Sequence, residues 1–377
     1  MTQSKNFGFG EDEMMLRDAA RKFFADNCPP DQLHRLVANN PDIHRPIENK
    51  WQPELWQAIC ELGWHLVCIP EDCGGIGMPL VAAVALAEEV GKAAFPSPLL
   101  STFNSTFVLN ACGTNTAKQT LESIANGRAA TLAITNQKGS WEPLDTDVRI
   151  DNGKLTGSAW FVQDASKADL LVVSAASNDG VGLYVVNTSA TGVNIIADGI
   201  IDLTRDQAHI EFNHVDAVEV SAPGKGGEAI SQAMPAILAV TSADMVGAGE
   251  WLLQTTTEYA TTRVQFERPI GFFQAVKHPL VNVMIEIDQA KSLTYAAASA
   301  YHEEPERADI LARMAKSRAS DMAAFSANRA VQLHGGIGFT WECFVHLYFK
   351  RQMHNRSLFG DGEYQREQLA NSLIAPL

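Results

Sequence analysis

The chain is short of positive charge. Over 377 residues, 29 Lys and Arg stand against 44 Asp and Glu, a formal net charge of -15. Such a field excludes nucleic acid and anionic membrane surfaces as main partners, because any anionic ligand needs a local cluster of Lys and Arg to overcome it. Cysteines are few and scattered: Cys28, Cys60, Cys68, Cys73, Cys112 and Cys343 form no CxxC pair and no Cys/His cluster. That spacing argues against a disulfide framework and a metal site, and fits free thiols in a reducing compartment, the cytoplasm. The opening stretch MTQSKNFGFGEDEMM lacks the apolar run of a secretory signal. No stretch reads as the ~18 apolar residues of a membrane span, and nothing repeats internally. What is present is apolar bulk, 46% of residues, enough for a sizeable core and two or three domains.

Three segments differ in period. Up to residue 128 the apolar residues recur at helical spacing: EDEMMLRDAARKFFADN puts Met15, Leu16, Ala19, Phe23 and Phe24 on one stripe. ELWQAICELGWHLVCIP is a second helix, broken at Gly63 and Pro70, and LVAAVALAEEVGKAAF is apolar nearly all round. From 129 to 222 the pattern turns to short runs rich in Val, Ile, Thr and Phe, separated by turns such as Asp151-Asn152-Gly153, which predict a small antiparallel barrel or sandwich. From 223 to 377 the helical period returns in long runs, one of them ending at Gly335-Gly336. The expectation is an α+β multidomain chain: an N-terminal all-α domain, a central small β-barrel domain and a C-terminal four-helix bundle.

Two stretches carry candidate chemistry, RVQFERPIGFFQAVKH (263–278) and AVQLHGGIGFTWE (330–342). In the first, a guanidinium beside a turn suits a phosphate or carboxylate; Arg263 closing a helix C-terminus is the plainer reading. The GGIG run follows a helix instead of a strand and so lacks the context of a dinucleotide motif.

In this order, and behind this β segment, the stretches resemble the acyl-CoA dehydrogenase family over essentially the full chain. ELGWHLVCIPEDCGGIGMP is similar to the family's N-terminal "laelGw…vPeeyGG.G" stretch, and LTGSAWFVQDASKADLLVVSA to its flavin-facing strands. The resemblance implies the acyl-CoA dehydrogenase fold, FAD as cofactor and α,β-desaturation of an acyl-CoA. In that chemistry a carboxylate takes the α proton while hydride leaves the β carbon for the flavin, and hydrogen bonds to the thioester oxygen acidify the α carbon. It further implies a homo- or hetero-oligomer (a dimer of dimers) and electron-transferring flavoprotein as acceptor. By the family pattern Arg263 holds the FAD pyrophosphate across a subunit interface, with Gln265 and Phe266 alongside. Gln332, Gly335 and Gly336 line the adenosine half, and Thr135, Trp160 and Gln274 complete the cofactor set. Trp160 as plain β-domain core, and Gln274 as a helix cap, are the alternatives.

The chain departs from the pattern twice. The flavin loop "TEp.aGSD" reads Thr135-Asn136-Gln137-Lys138-Gly139-Ser140-Trp141, without the acid after Thr135 and with Trp141 in place of the final Asp. The "yEGTseIqR" segment, whose first Glu is the base, aligns with Phe359-Gly360-Asp361-Gly362-Glu363-Tyr364-Gln365-Arg366, so Phe359 takes the base's place. The family's other base position falls near Ile237, with only Ser242 and Asp244 as polar neighbours. Three explanations are open. Asp361, Glu363, Asp244 or Glu250 has become the base, Asp361 being nearest, although Asp361 can equally cap a turn and Glu250 can be a paired helix residue. Alternatively, this is the base-less subunit of a heteromeric enzyme, a known arrangement among relatives acting on bulky CoA thioesters such as steroid side chains. Finally, the fold serves flavin-dependent monooxygenases, oxidases and non-catalytic binding proteins.

Overall fold

The computed structural model describes residues 7–38 and 51–374. The N-terminal helices are α1 (Glu11–Asn27), α2 (Pro30–Ala38), α3 (Pro53–Glu61), α4 (Leu80–Lys92), α5 (Leu99–Cys112) and α6 (Asn115–Ala125). The stripe of α1 is rotated from the sequence expectation. Ala20 and Phe24 are buried with Leu16 and Phe23 packed beside them, whereas Met15 is 67% exposed and Ala19 also faces out. Two helices escaped the periodicity, α2 and α5. The latter is buried along Leu99–Leu109 on all sides, so it has no polar face to generate a 3.6-residue pattern.

The strands follow: β1 (Ala130–Ala133), β2 (Arg149–Asp151), β3 (Lys154–Gln163), β4 (Leu170–Ser177), β5 (Gly180–Asn187), β6 (Val193–Ala197), β7 (Gln207–Asp216) and β8 (Val218–Glu219). The sheet runs β6-β7-β3-β2-β4-β5-β8, with β1 parallel to β4. A bridge from Thr135 to Trp160 joins the end of β1 to β3 and so closes the circuit β3-β2-β4-β1, which makes the domain barrel-like. Ile210, Leu155, Val173 and Phe212 fill its interior.

The C-terminal part opens with α7 (Gly226–Thr262), 37 residues long and unbroken by Pro235. The hairpin β9 (Val264–Gln265) and β10 (Arg268–Pro269) leads to α8 (Gln274–Glu303), α9 (Pro305–His334), α10 (Val345–Ser357) and α11 (Gly362–Leu373). Three long helices therefore form the bundle, and the short α10 takes the fourth position. Contrary to the sequence expectation, α7 is long and apolar enough to cross a bilayer, but 83% of its most apolar window is buried inside the protein, as a core helix requires.

The N-terminal helices and the bundle meet where α4 crosses α7 at backbone distance. A Cβ on Gly247 would lie 1.8 Å from the Glu88 carbonyl oxygen, and one on Gly91 would lie 2.0 Å from that of Asp244. No side chain fits there without moving a helix. Gly247→Ala is expected to cost about 3 kcal/mol or more by overpacking, read as a lower urea midpoint at unchanged m-value.

Candidate functional site

The expected cofactor residues fall into two groups. One lies at the far end of the bundle. Arg263 follows the last turn of α7, and Gln265 and Phe266 sit on the exposed β9–β10 hairpin, Phe266 at 84% exposure with φ +52°. Gln274 is the exposed first residue of α8 and makes no capping hydrogen bond, which removes the helix-cap alternative. The Tyr259 hydroxyl donates to the His334 carbonyl at 3.4 Å and the two rings stack at 4.4 Å, tying this end of α7 to the turn holding Gly335 and Gly336. Gln332 is exposed one turn earlier and accepts from Arg329. Two observations mark this end as open to an anion. The Arg263 guanidinium is exposed and makes no hydrogen bond or ion pair among the described residues, and a Cβ on Gly335 or Gly336 would meet nothing within 4 Å.

The second group is in the β domain. Thr135 is buried, and its carbonyl accepts the Trp160 N–H at 2.9 Å. Trp160 is half-buried with its ring stacked on His209, 4.4 Å between centroids and 12° between planes; His209 Nδ1 in turn donates to the Asp198 carboxylate at 2.9 Å. It is therefore a surface platform and not a core residue. Where the family pattern has an acid, the Asn136 side chain accepts from the Lys138 and Ser140 N–H groups at 3.1 Å each, so it serves only its own loop.

Thr135 lines a cavity of about 20 Å³ together with Ser101, Asn104, Thr131, Phe161 and Gln163. Trp141 and Phe359 close it, their ring centroids 4.9 Å apart. The space holds one water, far below the roughly 300 Å³ at which ligand pockets begin. On the other side of the Trp141–Phe359 pair lies a second cavity of about 220 Å³, lined by Glu142, Ser231, Met234, Arg313, Tyr364 and Gln368.

Phe359 is 6% exposed and shares one apolar cluster with Ile237, so both places for a family base fall in hydrocarbon. Three of the four candidate substitutes are otherwise engaged, and the fourth, Glu363, is exposed. Asp361 is the N-cap of α11, accepting from the Glu363 and Tyr364 N–H groups at 3.1 and 3.0 Å. Glu363 is exposed in the first turn of that helix. Asp244 is fully buried and receives a bidentate contact from Arg351, 2.9 Å to each oxygen, plus one from Arg205. Glu250 binds Lys291 at 2.7 Å and Lys92 at 3.3 Å; burial would raise its pKa, but the two ammonium groups outweigh that and hold it below the usual carboxylate range.

Sequence reasoning missed Lys316 altogether. It is fully buried on α9 and donates to Ser320 Oγ at 3.1 Å, the Arg356 carbonyl at 3.0 Å and the Gly360 carbonyl at 2.7 Å. A lysine on the inward face of ARMAKSRASDMAAF was the available signal.

Two predictions follow from these contacts. Asp361→Ala should cost about 1 kcal/mol of stability through the lost cap, while any turnover of the assembled enzyme stays within twofold. Burial pushes His346 and His354 down to about 4, from an ordinary 6.5. The unfolded chain therefore takes up these protons first as pH falls. The stability they contribute is complete above pH 6.5 and is lost between 6.5 and about 4, by roughly 2–3 kcal/mol each; a melting series against pH checks it, with His354→Gln flattening part of the slope.

Comparison with known proteins fixes the family. Residues 10–128 match the acyl-CoA dehydrogenase N-terminal domain and residues 224–374 the acyl-CoA dehydrogenase C-terminal domain. Acyl-CoA dehydrogenase IpdE2 of Mycobacterium tuberculosis is 32% identical over 342 residues, covering 90% of this chain and 91% of the relative. The ChsE4-ChsE5 complex from Mycobacterium tuberculosis superposes at a TM-score of 0.85 and 25% identity, over 98% of this chain and 100% of the matched one. The Tcur3481-Tcur3483 steroid ACAD superposes equally well, at 0.85 and 25%, over 96% and 98%. With two domains and a relative matched at that coverage, the chain belongs to the acyl-CoA dehydrogenase family.

Proposed function

We propose that this chain is the base-less subunit of an FAD-dependent acyl-CoA dehydrogenase built from two different chains of the family, acting on a bulky CoA thioester. The observation that carries the reading is Phe359. It stands where the family pattern has its carboxylate, inside an apolar cluster that also takes up Ile237, while Asp361, Asp244 and Glu250 are committed to a cap and to ion pairs. No pH gives a phenylalanine ring a proton to accept, so the α proton goes to a carboxylate of the other chain. Two similar structures are the ChsE4-ChsE5 complex and the Tcur3481-Tcur3483 steroid ACAD, which supports a hetero-oligomer.

The residues present fit half of a flavin nucleotide. At the bundle end, the unpaired Arg263 guanidinium would hold the pyrophosphate, with Gln265, Phe266 and Gln274 beside it. The uncovered backbone at Gly335 and Gly336 would admit the adenosine half next to Gln332. The β domain does not fit the ring half: Thr135 lines a space of only about 20 Å³, and Trp160 stacks on His209. FAD, when bound, supplies the hydride acceptor for the β hydrogen and passes its electrons to an acceptor such as electron-transferring flavoprotein. This chain's part is to fix the nucleotide's anionic end toward its partner, which keeps the chemistry in the partner's site.

Phe359→Glu in the isolated chain should give turnover below 1% of the assembled enzyme. It should also lose several kcal/mol of stability, because the new carboxylate is buried without a partner. Counting flavin tests the reading directly. The chain alone should hold well under one FAD, and the pair with a sister chain one FAD per two chains that bleaches with acyl-CoA. One tightly bound FAD per isolated chain, bleached by acyl-CoA, would overturn it.

A further inference from the structure

A bulge in β3 sets Trp160 and Phe161 against the single residue His209 of β7, since Ala159 pairs with Ile210 and Val162 with Ala208. Phe161 takes φ +56°, which breaks the alternation of the strand. Trp160 stacks on His209, and Phe161 lines the small cavity beside Phe359. Gln163 fixes that geometry: its amide donates to the Phe161 carbonyl at 3.1 Å and to Gln207 at 2.9 Å, and its oxygen meets His354 at 2.7 Å.

Phe359 is held with equal care. Its φ is +55° and that of Gly360 is +85°, and a Cβ on Gly360 would lie 2.1 Å from the Tyr364 ring. Lys316 binds the carbonyls of Arg356 and Gly360 on either side of the residue, and Gln365 donates to the carbonyl of Phe359 itself at 2.6 Å. All three donors of the buried ammonium are thus used.

Behind the two rings the walls remain polar. Asn104 is nine-tenths buried, and its Oδ1 has no hydrogen-bond partner among the described residues. Thr135, also buried, lines the same cavity. A buried acceptor left unsatisfied is costly and rare. The pair suits a planar heteroaromatic ring whose edge carries N–H beside C=O: the N–H would donate to Asn104 Oδ1, and the C=O would accept from Thr135.

We propose that Phe161 and Phe359, the latter positioned by Lys316, form a plug over an otherwise retained seat for a flavin-type ring, and that this plug keeps the ring out of this chain. The inference rests on the half-fit to FAD described above, but it stands or falls separately, because riboflavin has a ring and no pyrophosphate for Arg263 to bind. The full-length Phe161→Ala/Phe359→Ala chain should quench riboflavin fluorescence with an affinity at least tenfold above wild type, and adding Asn104→Leu should return it to the wild-type level. A folded double variant that binds riboflavin no better than wild type would overturn the proposal. So would a wild-type chain that binds it as tightly, or binding indifferent to Asn104→Leu. Should the double variant fail to fold, Phe161→Val alone is read by the same tenfold criterion. For the positioning role, Lys316→Met should speed amide exchange at residues 358–362 at least tenfold while the β domain stays protected. Unchanged exchange there, or equal loss of protection everywhere, removes Lys316 from the proposal.

Discussion

The contact on which the rest of the architecture depends is the backbone crossing of α4 and α7. Gly91 and Gly247 let each helix rest on a carbonyl of the other, and the two residues whose carbonyls are touched, Asp244 and Glu88, also carry the buried charges of the crossing. Asp244 reaches Arg351 on α10 and Arg205 before β7, and Glu88 reaches Lys291 and Tyr295 on α8. Close approach thus places two carboxylates where only paired arginines and lysines make burial tolerable. The crossing joins the N-terminal helices, the bundle and the β6–β7 loop of the β domain.

That arrangement explains how the chain keeps its family's fold with Phe359 where the family pattern has a carboxylate. A catalytic carboxylate in an apolar pocket is a liability to stability, held only because chemistry needs it. Phe359 in its place packs on Trp141 and joins the cluster of Leu358 and Ile237. Of the candidate acids, Asp361 caps α11 while Asp244 and Glu250 sit in ion pairs.

How much of this was legible in the sequence varied with the kind of interaction. The change of period near Ala129, the return of helices after residue 223 and the phenylalanine at 359 could all be read directly, because each is a local pattern or a position in a motif. The family's two C-terminal stretches singled out Arg263, Gly335 and Gly336 as cofactor residues; that the Tyr259–His334 stack brings them to one end of the bundle was not readable from either stretch. Helix α5 was invisible because burial on every side erases amphipathic spacing. Met15 and Ala19 were assigned to the wrong face of α1 because two overlapping stripes exist there and only tertiary packing chooses between them. The clamp of Lys316 on a loop 44 residues away, and the bulge that turns Phe161 inward, depend on partners distant in the chain, which no local reading supplies.

Helix α7 has a consequence of its own. At 1.5 Å per residue its 37 residues make a rod about 55 Å long. One end, at Ser231 and Met234, borders the cavity beside Phe359, and the other delivers Arg263 to the surface. Pro235 does not interrupt it, and the glycine crossing clamps it midway, like a beam on a fulcrum. A small tilt imposed on the Arg263 end by a neighbouring molecule would be felt at the other end with opposite sense. The cavity beside Phe359 and the exposed Arg263 are therefore joined by one continuous helix.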